Sequence, residues 1–286
     1  MNVPLLVERV IGRRAMWKIG RRLFYAARRE GSVDMEEDGE LLLQRRFAER
    51  SAKLGKPLRI VDVGGNLGQW SLSMLRELDK AGAPPAELIV FEPMPSIHDR
   101  LRETLATQTR HRIELRREAA ADAAGEGRFV LHGDSDGTHH LDTRCAARPG
   151  TVVDVRLVRL DEVLTDDEVD ILKIDAEGFD PVVIRGASGL LARQRIGVLQ
   201  FEYSHLYIRS RSYLFDVFEM AAEAGYKVAL LTRAGLEVFD AWHPDLEKFI
   251  DSNLVVCRAD VLHWLPAVAA AYLPDNTRAL SPLGAA

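Results

Sequence analysis

From Leu58 onward, short apolar runs alternate with longer segments whose apolar residues recur every three or four positions. LRIVDV, ELIVF, DILKID, GVLQFEY and YKVALLT are near-continuous in Val, Ile, Leu and Phe, the texture of strands covered on both faces. Between them QWSLSMLRELDKA, SIHDRLRETLA, DPVVIRGASGLLA and SYLFDVFEMAAEAG each show an apolar face at helical spacing. This rhythm predicts an α/β, Rossmann-like domain, mostly parallel, with helices on both sides of the sheet. A last strand, NLVVCR at 253–258, closes the series, so the domain is expected over 58–258, followed by a helix and loose tail over 259–286. Residues 111–160 break the rhythm, because IELRREA, GRFVLHG and TVVDVRLVRL are polar at alternate positions and are separated by GDSDGTHHLDTR. They predict an irregular excursion over the sheet, with the polar stretch placed as a lid.

Upstream, residues 1–57 are expected to form a helical extension. Leu42, Leu43, Phe47 and Leu54 make an apolar stripe that Gly55-Lys56-Pro57 ends. The first thirty residues interleave eight Arg and Lys with Val10, Ile11, Trp17, Leu23, Phe24 and Tyr25 and hold only Glu8 and Glu30 as acids. That is a basic amphipathic helix. It is expected to pack on its own domain or across a homodimer, in preference to an anionic membrane.

Composition adds limits rather than a function. With 47% hydrophobic and 28% charged residues the chain of 286 residues is an ordinary globular one, and no apolar run reaches the roughly 20 residues of a membrane span. A net charge of −5 gives no reason to expect a nucleic acid. Cys145 and Cys257 stand far apart in no metal-type spacing, which fits a reducing compartment; with no signal-peptide pattern, the expected location is the cytoplasm.

The chemistry is expected where strands stop. In a parallel sheet, ligands sit beyond the carboxyl ends of strands, and IVDVGGNLG and ILKIDAEG both end in an acid and a glycine. Gly64, Gly65 and Gly68 allow a tight turn and close backbone approach, and Asn66 tolerates a left-handed conformation. Asp62 before the glycines opposes a pyrophosphate and suits a cationic amino group. Glu92, ending ELIVF before Pro93, suits the two hydroxyls of an unphosphorylated ribose. S-adenosylmethionine is one example of a ligand with these features. Ala120 and Asp122, by placement, are candidate adenine contacts.

VDVGGNLG, VFEPMPS, DILKIDAEGFDPVVIRGASGLL and FEYSH resemble the FkbM family of S-adenosylmethionine-dependent methyltransferases over about 58–258. The resemblance implies a class I methyltransferase with a seven-stranded sheet, acting on hydroxyl groups of sugars, glycosides, glycolipids or polar natural products. In that frame Asp175, Glu177 and His205 are candidate catalytic residues. If the strand continued, Asp175 and Glu177 would point the same way into the crevice, where two carboxylates either raise one pKa toward a base or hold a cation. Asp175 and Glu202, on adjacent strand ends, are the candidate ligands of a Mg²⁺ that would grip vicinal hydroxyls. The chain departs from sugar O-methyltransferases of the macrocin type by carrying DAE where they have paired aspartates. Tyr203, His205, Tyr207, Arg209 and Arg211 are candidate acceptor contacts, and Asp134, Asp136, His139 and His140 candidate lid residues. Two other readings stay open: a nicotinamide-dependent oxidoreductase, which Asp62 opposes, and a non-catalytic scaffold, which would not need acids at 62, 92, 175 and 177.

Overall fold

The computed structural model describes residues 3–31, 34–131, 140–141, 151–165 and 168–284. Its main strands in chain order are β1 (Arg59–Val63), β2 (Glu87–Phe91) and β3 (Arg112–Arg116), then a small group, β4 (Ala119–Ala120), β5 (Gly125–Leu131), β6 (His140–Leu141) and β7 (Thr151–Val158). The main series resumes with β8 (Val169–Ile174), β9 (Ile196–Tyr203), β10 (Lys227–Thr232), β11 (Gly235–Phe239), β12 (Ser252–Cys257), β13 (Ala267–Tyr272) and β14 (Arg278–Pro282).

Ten of these make one sheet in the order β14-β13-β11-β10-β12-β9-β8-β1-β2-β3. The stretch from β3 to β10 contains the seven strands expected, with β12 antiparallel to both neighbours. The expectation of seven in all is corrected to ten. GLEVF turns back on β10 as a hairpin through Arg233-Ala234, and the supposed loose tail supplies β13 and β14 after a helix of only four residues, Ala259–Leu262. Small residues hid these strands, since AVAAAY has little of the bulk that marks a strand in sequence. The excursion is likewise regular: β4-β7-β5-β6 form a second small sheet whose Phe129 and Val155 pack on Met94, Ile97 and Ala119.

Both faces of the main sheet are covered. The helices Asp180–Gly186, Ser188–Ala192 and Leu214–Glu223 cover one, burying Val183, Leu190 and Val217 against Val61, Leu172 and Leu199. On the other, the helices Gln69–Ala81 and Glu40–Leu54 bury Trp70, Met74, Leu43 and Phe47 over Ile60, Ile171 and Val198. The helix Glu40–Leu54 thus shares the core of the sheet, and position 57 does not separate two packing units. Further upstream, the helix Arg13–Arg28 buries none of its residues, so of the two protein surfaces expected for it, its own domain does not cover it.

Candidate active site

The chain runs from β1 to β2 on one side and returns to β1's other side as β8, so the central strand ends border a switch-point crevice. A cleft opens there, at the ends of β1, β2 and β8. Its wall takes Val63, Gly64 and Asn66 at the end of β1, Phe91 to Met94 at the end of β2, Glu118 to Ala120 before β5, and Asp175 to Glu177 after β8. Ile97, Phe129 and Phe179 close the apolar side.

The glycine loop is held by backbone geometry. Gly64 has φ +81°, and a Cβ there would lie 1.9 Å from the carbonyl oxygen of Asp175, so only glycine lets the β1 and β8 ends approach this closely. The N–H groups of Gly64 and Gly65 donate to the Phe91 carbonyl at 2.9 and 3.1 Å. Asn66 follows at φ +45°, as its residue type allows, and its N–H donates to Glu92 Oε2 at 3.0 Å. Glu92 Oε1 accepts the Met94 N–H at 2.9 Å. Both carboxylate oxygens are therefore fixed by backbone donors while each keeps a lone pair for a ligand. Burial pushes the Glu92 carboxyl up to about 7, against those two N–H groups.

Across the cleft, β8 ends at Ile174 and its conformation does not persist: Glu177 has φ +51° in a turn. The expectation that strand alternation aligns Asp175 with Glu177 is corrected, because both reach the cleft wall through a turn instead. Gly178, at φ +91°, completes it where a Cβ would lie 2.5 Å from the Leu206 carbonyl. Burial and then Asp175 push the Glu177 carboxyl up to about 7, partly opposed by Arg209 and Lys173.

Beneath the cleft floor lies a buried polar row that the sequence did not announce. Asp62, Lys173 and Gln200 are neighbours in register on β1, β8 and β9. Lys173 Nζ donates to Asp175 Oδ2 at 3.0 Å and lies 3.8 Å from Asp62 Oδ1. Gln200 Nε2 donates to Glu40 Oε1, which brings the helix Glu40–Leu54 into the row. Burial alone would lower the Lys173 pKa, but Asp175, Asp62 and Glu40 outweigh it and hold the ammonium charged. Burial raises Glu40 to about 7 and raises Asp62 as well. A lysine inside an apolar strand, ILKI, was the available signal, since such a charge needs partners.

Of the sequence-derived residues, the cleft brings together Gly64, Asn66, Glu92, Pro93, Ala120, Asp175 and Glu177. It does not include Asp62, which is fully buried and accepts the Ser71 hydroxyl at 2.6 Å. As the penultimate residue of β1 it points into the sheet face under the helix Gln69–Ala81, not past the strand end. Gly65 and Gly68 also stand behind the wall, packed toward Val90 and Leu101. Asp122 turns away to Arg185, 3.4 Å distant. His205 is exposed and 3.8 Å from Asp251, not at the cleft. Tyr203 and Tyr207 are core residues stacked edge to face, with Tyr203 donating to Glu247 at 3.0 Å. Asp134, Asp136 and His139 lie outside the described residues, and only the backbone of His140, in β6, is described. Met94, Ile97, Glu118 and Phe129 were not anticipated; Phe129 comes from the small sheet, which packs on Met94, Ile97 and Ala119.

The Mg²⁺ expected between Asp175 and Glu202 is not supported. Among the described residues, no three or more His, Cys, Asp or Glu converge as metal ligands, and the Lys173 ammonium already occupies Asp175 Oδ2. Glu202 is crowded instead: burial, Asp175 and Asp180 favour its protonated form.

The family model of the methyltransferase FkbM domain matches residues 62–228, more than half of the chain. Among solved structures, the bifunctional kinase-methyltransferase WbdD aligns at 14% identity with a TM-score of 0.44, over 78% of this chain and 40% of that one. Precorrin-6y C5,15-methyltransferase from Geobacter metallireducens aligns at 12% identity and TM-score 0.38, over 75% of this chain and 88% of that one. A SAM-dependent methyltransferase from Agrobacterium tumefaciens aligns at 13% and 0.39, over 76% and 60%. The chain spans about two fifths of the length of the WbdD structures it matches. No curated protein matches it.

Proposed function

Since the chain belongs to the FkbM methyltransferase family, we propose that it methylates a hydroxyl oxygen of a sugar, glycoside, glycolipid or polar natural product, with S-adenosylmethionine as donor. The observation that carries this reading is one cleft with two unlike acids. Glu92 is clamped between two backbone donors, and Glu177, in a turn across the cleft, is tuned near neutrality.

The residues divide the work by environment. Glu92 offers its two remaining lone pairs to adjacent ribose hydroxyls, with the Asn66 and Met94 N–H groups fixing its plane. Met94, Ile97 and Phe129 provide an apolar wall for a flat base. When bound, S-adenosylmethionine supplies a methyl carbon activated by its sulfonium. Glu177 takes the hydroxyl proton from the acceptor, and a carboxyl near 7 is suited to that transfer at neutral pH. Asp175, anchored by Lys173, presents its other oxygen toward the cleft to orient the acceptor.

The test is transfer of a labelled methyl group to a panel of sugars, glycosides and glycolipid head groups, with the product bond assigned by magnetic resonance. Methyl on oxygen is expected, with S-adenosylhomocysteine released. Label on nitrogen or carbon alone, or binding of NADH without S-adenosylhomocysteine, would overturn the reading.

A further inference from the structure

We propose that the helix Arg13–Arg28 is a docking surface for an anionic lipid membrane, lying in its headgroup region. The helix buries none of its residues, and Trp17, Ile19, Leu23 and Phe24 are 61%, 50%, 65% and 47% exposed. At 100° per residue, Met16, Ile19, Leu23 and Ala27 share one side, whereas Arg14, Lys18, Arg21 and Arg22 share the other. The aromatics mark the border between them. Arg21 lies over the Trp17 ring at 4.7 Å and Arg28 over Phe24 at 5.3 Å.

Both faces must be satisfied by whatever covers the helix. A protein groove taking the apolar side would leave the basic side in water, whereas a headgroup layer accepts apolar residues inward and offers phosphates to the cations. Charge points the same way: the first 29 residues hold eight Arg and Lys against Glu8 alone, in a chain that is acidic overall. No helix among the described residues is long and apolar enough to cross a membrane, so the arrangement is one of lying on the surface.

The helix is also firmly joined to the catalytic unit. Its last residue, Arg28, donates to the Asp245 carbonyl at 2.7 Å and pairs with Glu30 at 2.7 Å. Arg278 of β14 then pairs with Glu30 and with Glu237 of β11, each at 3.0 Å. The Gly31 N–H donates to the Asp251 carbonyl at 2.8 Å, next to Ser252, the register partner of Tyr203 at the carboxyl end of β9. The helix therefore joins the domain on the edge of the sheet where the strand ends open.

Co-sedimentation of the full chain with vesicles tests the surface without any turnover. Binding is expected to vesicles of phosphatidylcholine with about 30% phosphatidylserine and not to phosphatidylcholine alone, weakening as salt screens the charges. The pair Lys18→Ala and Arg22→Ala should weaken it by roughly 25-fold, about 5-fold per cation. Trp17→Ser with Leu23→Ser should abolish it; since all four side chains are exposed, thermal melts should match wild type. The proposal is overturned if the wild type stays in the supernatant with anionic vesicles at low salt. It is equally overturned if both variants bind as wild type does. A dimer by light scattering that Trp17→Ser with Leu23→Ser converts to monomer, without vesicle binding, would assign the face to a second copy instead.

Discussion

Glu92→Gln isolates the cofactor half of the cleft. In the structure each Glu92 oxygen accepts one backbone N–H, from Asn66 at 3.0 Å and Met94 at 2.9 Å. Glutamine keeps the shape but must set its amide NH₂ against one of those donors, so one bond is lost and one ribose hydroxyl loses its charged acceptor. Hydrogen bonds to charged groups contribute about 1.5–3 kcal/mol each. Loss of one should raise the Kd for S-adenosylhomocysteine by roughly 10- to 150-fold. Titration calorimetry on the apoprotein measures this directly. The pH dependence provides an independent check. The Glu92 carboxyl is raised from 4.5 to about 7 in the fold, so its contribution to apoprotein stability is complete at low pH and is lost as pH rises through that window. Ligand binding has the opposite preference, because protonation removes one of the two lone pairs left for the ribose. Affinity in the wild type should therefore rise with pH toward 7 and flatten above it, and the Gln variant should lose this component. Unchanged affinity in a variant with an intact circular dichroism spectrum would refute the ribose assignment.

On the acceptor side, Glu177→Gln should lower kcat with S-adenosylhomocysteine affinity nearly intact. The wild-type rate should rise with pH through about 7, as the base must be deprotonated, and this limb should vanish in the variant; a retained limb would move the base elsewhere. Lys173→Met removes the only cation of the row formed with Asp62, Asp175 and Glu40, and urea unfolding should show a loss of about 3–5 kcal/mol; a near-wild-type midpoint would mean that the row relaxes by protonation. Gly64→Ala places a Cβ 1.9 Å from the Asp175 carbonyl oxygen just after β8, so cofactor binding should be lost even where soluble protein is recovered, as calorimetry would report. Chelator should leave turnover unchanged, given the Lys173 ammonium on Asp175; loss of activity restored by Mg²⁺ would reverse that assignment.

The sequence by itself determined the central strands and helices, because their periods are local: IVDV and ILKI are apolar throughout, and QWSLSMLRELDKA carries a single apolar stripe. It also determined the left-handed Asn66 and the strand-end acids of the cleft wall, Glu92, Asp175 and Glu177, since residue type and position at a strand end suffice to place them. What it could not determine depends on partners distant in the chain. Whether Asp62 faced a ligand or the core was decided by register, which aligns it with Lys173 and sets it under Ser71. His205 and Tyr207 lie two residues apart, yet one is exposed and the other fully buried, because the turn after β9 sends one outward and packs the other on Tyr203. β13 and β14 exist because β11 offers an open edge whose backbone groups need pairing, a demand invisible in AVAAAY itself. Likewise Glu40 joins the floor of the site through Gln200, 160 positions away, a contact made by tertiary packing alone.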